Sequence, residues 1–300
     1  VPKRSIALGL AALLAACTPV QRHVELSGPA LERLYAETSN EIARKGGLRT
    51  DRIPADAPIS LSMLVRNFEE ISFFAENDGG AARTPSSVIP LTRWEGPIRI
   101  GVIFGESVPP DQRARDLAEV RALADKFRRL TGRDVSYRPD GDVNFIVLVL
   151  ERNEQLTLAS QIEQGGGLPR QMVDDLRNSP PSLLCSASLF GPDPANGGIA
   201  VAVALIKAEH RGILRRSCFH EEMTQALGLL NDSEMVRPSI FNDNEEFALL
   251  TLHDEILLRM LYDKRLTSGM SADEARPQLY DIARDAARAA GARLVKSPPG

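Results

Sequence analysis

Residues 144–150 read N-F-I-V-L-V-L, and no other stretch restricts the fold as strongly. From Phe145 onward the run is unbroken and apolar, the pattern of a strand buried on both faces in a sheet that helices cover. Its surroundings carry the same theme. Residues 98–104 (I-R-I-G-V-I-F) read as a strand, 110–131 as a long amphipathic helix and 134–138 as a short strand. Residues 183–190 and 199–206 read as further strands, joined by a Gly/Pro/Asn loop that favours a hairpin-like connection. Helices are predicted over 213–230, 250–262 and 272–290, with an irregular stretch through Asn244 between the first two. A polar excursion over 152–181 holds Gly165-Gly166-Gly167 and a predicted helix near 169–178. That glycine run lacks the Lys-Ser/Thr of a phosphate loop. The order of elements predicts an α+β fold, an α/β sandwich with a mixed, mostly parallel sheet and a helical C-terminal part.

Upstream, helices are predicted over 30–44 and 61–76. Leu64, Phe68, Ile71 and Phe74 fall at helical spacing, and that apolar stripe needs cover from the main domain. Residues 77–90 are rich in Gly, Ala, Ser and Pro and read as a loop. At the start, Lys3 and Arg4 precede an uncharged apolar stretch over 6–16. It is shorter than the roughly 20 residues a membrane span needs, but suits the core of a signal peptide. Leu14-Ala15-Ala16-Cys17 matches the bacterial lipobox. The expectation is therefore export, cleavage before Cys17 and lipid on that thiol; the alternative is an ordinary secretory signal with a chance cysteine. Thr18 stands where an Asp would favour inner-membrane retention, so the expected location is the outer membrane, facing the periplasm. The organisation read from these features is a signal peptide over 1–16, a lipidated N-terminus and spacer over 17–58, a helical extension over 59–93 and a main domain over 94–296. A formal net charge of −4 argues against a generic nucleic-acid binder. The partners expected are the membrane, through the lipid, and an envelope protein or peptide ligand.

The segment Glu221-Glu222-Met223-Thr224-Gln225-Ala226-Leu227-Gly228-Leu229-Leu230-Asn231 carries the chemical argument. Aligned on its glycine, it resembles the long zinc motif of metzincin proteases, HExxHxxGxxH. In that motif two ligands four apart share a helical face, and the acid beside the first polarises a metal-bound water. A glycine then lets the chain turn so that a third ligand reaches the metal. Here Glu221 stands at the first ligand position, Gln225 at the second and Asn231 at the third. Glu222 keeps the general-base position and Gly228 the turn. Pro238-Ser239-Ile240-Phe241-Asn242 lies where metzincins place their Met-turn, with Phe241 for the methionine. Residues 250–263 look like the closing helix of matrixin-type proteases. The chain also resembles domain-of-unknown-function family 2927, through Phe68-Glu69-Glu70-Ile71, Arg93-Trp94-Glu95, Asn144-Phe145, Cys218 ahead of E-E-x-T-Q-x-L-G-L, and Leu261-Tyr262-Asp263. That family brings no established activity.

The metzincin resemblance implies a metzincin-like domain whose standard zinc ligands are gone. Glu221, Gln225 and Asn231 offer oxygen groups where zinc prefers imidazole and thiolate, so no cofactor is expected beyond a weakly held divalent cation. The three could instead form a hydrogen-bonded network that fills the vacated site. The Glu pair has a further alternative, favourable placement near a helix N-terminus. His220-Glu221 starts HExxH in the neighbouring register, but Thr224 then takes the second ligand position, and a polar contact near the helix start is the expectation for His220. His210 and His253 are expected at the surface or in caps. In this reading Cys185 lies on the strand edging the cleft and Cys218 on the motif helix, and export permits a disulfide between them; two unpaired thiols are the alternative. The function expected is non-catalytic binding or assembly in the envelope. The alternative is a metal-dependent hydrolase of peptide or cell-wall material with Glu222 as general base.

Overall fold

The computed structural model describes residues 26–75, 87–165, 170–191 and 197–296. The stretch expected as a signal peptide, Cys17, most of the stretch expected as a loop over 77–90, and Gly166 and Gly167 lie outside the described residues. Two helices come first, α1 (Gly28–Arg44) and α2 (Leu61–Ser72), followed by a small antiparallel ribbon, β1 (Phe74–Ala75) and β2 (Ser87–Val88). Then come β3 (Ile98–Phe104), α3 (Pro110–Thr131), β4 (Val135–Tyr137) and β5 (Phe145–Leu150). They are followed by α4 (Arg152–Gly165), α5 (Arg170–Arg177), β6 (Cys185–Phe190) and β7 (Val201–Lys207). The chain closes with α6 (Gly212–Gln225), α7 (Leu252–Leu261) and α8 (Ala272–Ala289).

The larger sheet has the order β4-β3-β5-β7-β6. Four strands run parallel, and β6 pairs antiparallel with β7 at the edge, Cys185 opposite Ile206 and Phe190 opposite Val201. This is the expected α+β sandwich with a mixed, mostly parallel sheet. Period-two alternation explains the apolar run of β5, because successive side chains point to opposite faces. Phe145, Val147 and Val149 join the main core, and Leu148 and Leu150 join a second cluster on the other face. β7 divides likewise, with Ala202, Ala204 and Ile206 on one side and Val203 and Leu205 on the other. The main core takes in α3, through Val120, Leu123 and Phe127, and α6, through Cys218, Phe219 and Met223. The opposite face is covered by α4 and α5, through Ala159, Ile162, Met172 and Leu176. Helix α4 occupies the first half of the polar excursion, where the sequence led us to expect no helix; without it, Leu148 and Leu150 would face water.

The stripe on α2 is buried as its spacing requires, with Leu64, Phe68 and Ile71 all in the main core against α7 and α8. The described part of the stretch expected as a spacer does not stand off from the domain. Leu31, Tyr35 and Leu48 form a cluster with Leu214 and Ala248. The Tyr35 ring lies 4.1 Å from that of His210, and its hydroxyl accepts from Lys207 Nζ at 3.2 Å. Glu32 pairs with Arg211 at 2.9 Å. Further on, Arg49 N–H donates to Glu246 O and Ala248 N–H donates to Arg49 O. Among the described residues no helix is long and apolar enough to cross a membrane.

Candidate functional site

Helix α6 follows β7 after four residues and brings the motif under the sheet. Its first turn carries no acidic residue, because it begins at Gly212 and Glu221 lies in its tenth position. The helix-dipole reading of the Glu pair is therefore set aside, since that effect fades beyond the first turn. Positions 214, 218, 221 and 225 repeat at helical spacing and share one face. Leu214 meets α1 there, and Cys218 is bonded to Cys185 at the start of β6, with Cα atoms 5.7 Å apart. The expected disulfide is thus part of the fold, and it pins the edge strand to the motif helix. Ligand atoms of Cys185, Glu221 and Glu222 all lie within 4.8 Å of one another. Glu221 and Gln225 are half-buried, whereas Glu222 is 3% exposed.

The helix stops at Gln225, five residues short of the expected end. Side chains from elsewhere take up the carbonyls released there. Trp94 Nε1 donates to Ala226 O at 2.8 Å, and the Tyr262 hydroxyl donates to Leu227 O at 2.9 Å. The chain then reverses at Gly228, with φ +115° and no room for a side chain: an added Cβ would lie 1.9 Å from Thr92 O. The expected turn glycine is required on both counts. The next residues do not return to α6. Leu230 N–H donates to Ile71 O at 3.0 Å, and Asn231 Nδ2 donates to Glu70 O at 3.1 Å. A helix leaves its last carbonyls without partners in its own ladder. Asn231, 3% exposed, helps to cap the C-terminal turn of α2.

His220 has both ring nitrogens engaged. Leu250 N–H donates to Nδ1 at 3.1 Å, so Nε2 carries the proton it gives to Glu119 at 2.8 Å. This is the polar contact expected, although it sits mid-helix and buried. Burial holds the imidazole below its ordinary pKa in spite of the Glu119 carboxylate. The His220 hydrogen bond, with help from Arg216, draws the Glu119 carboxyl down to about 2. One turn earlier, Arg215 and Asp116 form a wholly buried pair at 2.6 Å. Helices α3 and α6 are joined through these groups.

Two histidines expected at the surface or in caps are buried instead, both at 0% exposure. His210 Nε2 donates to Leu184 O at 2.6 Å, and burial pulls its pKa down to about 4. His253 Nε2 meets Asn67 Nδ2 at 3.0 Å. Lys207, at the end of β7, is also buried. It donates to Tyr35, Pro180 and Leu183, and burial brings its pKa down to about 8. An isolated polar residue in a sequence gives no sign of such a partner set; only Lys207, closing a continuous apolar strand, carried a positional hint.

The turn over 238–242 is organised by α7. Asp254 caps that helix reciprocally with Thr251 and also accepts from Ser239 Oγ and Ile240 N–H. A fully buried carboxylate needs this many donors, because an unmatched buried charge is costly. Ser239 in turn accepts from Phe241 N–H, and Phe241 is buried in the main core. The turn residues Ser239 and Phe241 are thus framework. A pocket of about 240 Å³ lies elsewhere, between Leu26, Leu31 and the segment through Ser179, Pro180 and Pro181.

Residues 62–281 match the family described as protein of unknown function (DUF2927). The match takes in well over half of the sequence, and the chain belongs to that family. No curated protein matches the chain.

Proposed function

We propose that the protein is a cell-envelope lipoprotein, anchored through Cys17 to the outer membrane on its periplasmic side, with a metzincin-like domain used for non-catalytic binding or assembly. The observation that carries the reading is the fate of the third ligand position. Asn231 holds the end of α2 through Glu70 O, so the side chain that would complete a metal site serves the framework. The rest agrees. His220, the one imidazole in the motif, has both nitrogens committed to Leu250 and Glu119. The partner proposed is an envelope protein or peptide ligand.

The hydrolase reading needs Glu222 beside a metal-bound water and within reach of substrate. Its burial opposes that role. The test is metal analysis of the purified disulfide-bonded protein, together with replacement of Glu222 by Gln. Zinc well below one equivalent and a cellular function untouched by Glu222→Gln are the expected results. A full equivalent lost on Glu221→Ala, or a folded Glu222→Gln protein without function, would reinstate the enzyme.

A further inference from the structure

Among the described residues, the side chains of Cys185, Glu221 and Glu222 form the group of ligand atoms that converge most closely, all within 4.8 Å. Cys218 is attached to it through the disulfide. A sulfur in a disulfide is a poor metal ligand; a thiolate is a strong one. In a tetrahedral zinc site, with Zn–S near 2.3 Å and Zn–O near 2.0 Å, neighbouring donors sit about 3.3–3.8 Å apart. The three donors therefore lie within roughly 1.5 Å of the required spacing. Two neighbouring carboxylates repel each other, and a cation between them relieves that repulsion.

We infer that reduction of the Cys185–Cys218 disulfide opens a binding site for a thiophilic divalent cation such as Zn²⁺, held by Cys185, Glu221 and Glu222 with Cys218 as fourth donor. The inference does not depend on the partner-binding role, and of its ligands only Glu221 stands at one of the three motif positions. A dithiol supplies the electrons. Its thiolate attacks Cys185 sulfur, the S–S bond breaks with Cys218 as leaving thiolate, and the second thiol resolves the mixed disulfide. Two electrons and two protons pass to the cysteines, and the dithiol leaves as a disulfide. The cation then displaces the thiol protons to water. Both carboxylates already interact within the fold, so the cation must compete for them, and a weakly thiophilic ion such as Mg²⁺ will not.

The experiment compares the disulfide-bonded chain with chain reduced by a phosphine and freed of reductant without oxygen, each titrated with Zn²⁺ and Cd²⁺ alone. The expected result is one equivalent bound by the reduced chain at least 100-fold more tightly than by the oxidised one. Cd²⁺ should add a thiolate-to-metal charge-transfer band. Glu221→Gln, a change at a half-buried position, should weaken binding to the reduced chain at least tenfold. Equal binding by both forms overturns the inference, as does binding indifferent to Glu221→Gln, which would leave a site of thiols alone. Circular dichroism runs alongside, and a reduced chain that unfolds before it binds metal overturns it as well.

Discussion

Gly228 offers the sharpest test of how the turn after α6 is built, through Gly228→Ala. Two costs add. A non-glycine residue at φ +115° is strained, by about 1–3 kcal/mol. The new Cβ would also lie 1.9 Å from Thr92 O, and 2.9 Å from the carbonyl carbon of the same residue. Thr92 would have to retreat by more than an ångström, but its neighbours are fixed. Arg93 donates to Leu261 O at 2.8 Å, and Trp94 is tied to Ala226 O. Forcing such a group into a packed interior costs about 1–3 kcal/mol more. The sum, about 4 kcal/mol, is a large fraction of the roughly 5–15 kcal/mol that holds a domain together. It corresponds to a fall in Tm of about 8–16 °C. Gly132→Ala is the control: Gly132, after α3, has φ +68° with nothing within 4 Å of an added Cβ. It should cost about 1–2 kcal/mol, from backbone strain alone. Urea titration followed by the fluorescence of Trp94, the single tryptophan, measures both variants. A pair of variants within 1 kcal/mol of each other would refute the steric argument.

Removing the disulfide by Cys185→Ser with Cys218→Ser opens a link of 33 residues and should cost about 3–4 kcal/mol in the chain-entropy treatment, read from urea midpoints under oxidising conditions. The buried pair of α3 and α6 should respond unequally: Arg215→Met or Asp116→Leu alone should cost about 3–5 kcal/mol, while both together should cost much less, a coupling that a double-mutant cycle measures. For pH, His210 has its pKa pulled to about 4 by burial, against an ordinary value of 6.5. Between these values the unfolded chain binds more protons, so stability declines as pH falls from 6.5 towards 4, by up to about 1.4 kcal/mol per pH unit. His210→Gln should flatten the stability profile across that window, and an unchanged slope would show that another group supplies it.

How far the sequence disclosed this fold depends on whether a segment's own chemistry decided its structure. Helix α3 was legible to the residue, because Pro110 opens it and Gly132 ends it in the left-handed conformation. The two-faced apolar runs of β5 and β7 announced a covered sheet. The same logic called for a second helical layer, yet α4 was missed, because its apolar positions are sparse and the glycine run at its end suggested a loop. The end of α6 was misplaced for a different reason. Its apolar spacing continues through Leu230, but Trp94 and Tyr262, more than thirty residues away in either direction, claim the carbonyls of Ala226 and Leu227. At the site, the glycine turn could be anticipated from local motif and the cysteine pairing from the expectation of export. The role of Asn231 could not, since it depends on the end of α2 lying beside it.

The seating of α1 has a mechanical consequence. A tether attached ahead of Leu26 would load α1 before any strand of the sheet. The first attachments to resist are the Tyr35 hydroxyl on Lys207 and the Glu32–Arg211 pair, one turn apart on the same side of the helix. Lys207 ends β7 and Arg211 adjoins α6, so tension arriving at the N-terminus is shared between an interior strand of the sheet and the motif helix instead of peeling the edge strand away.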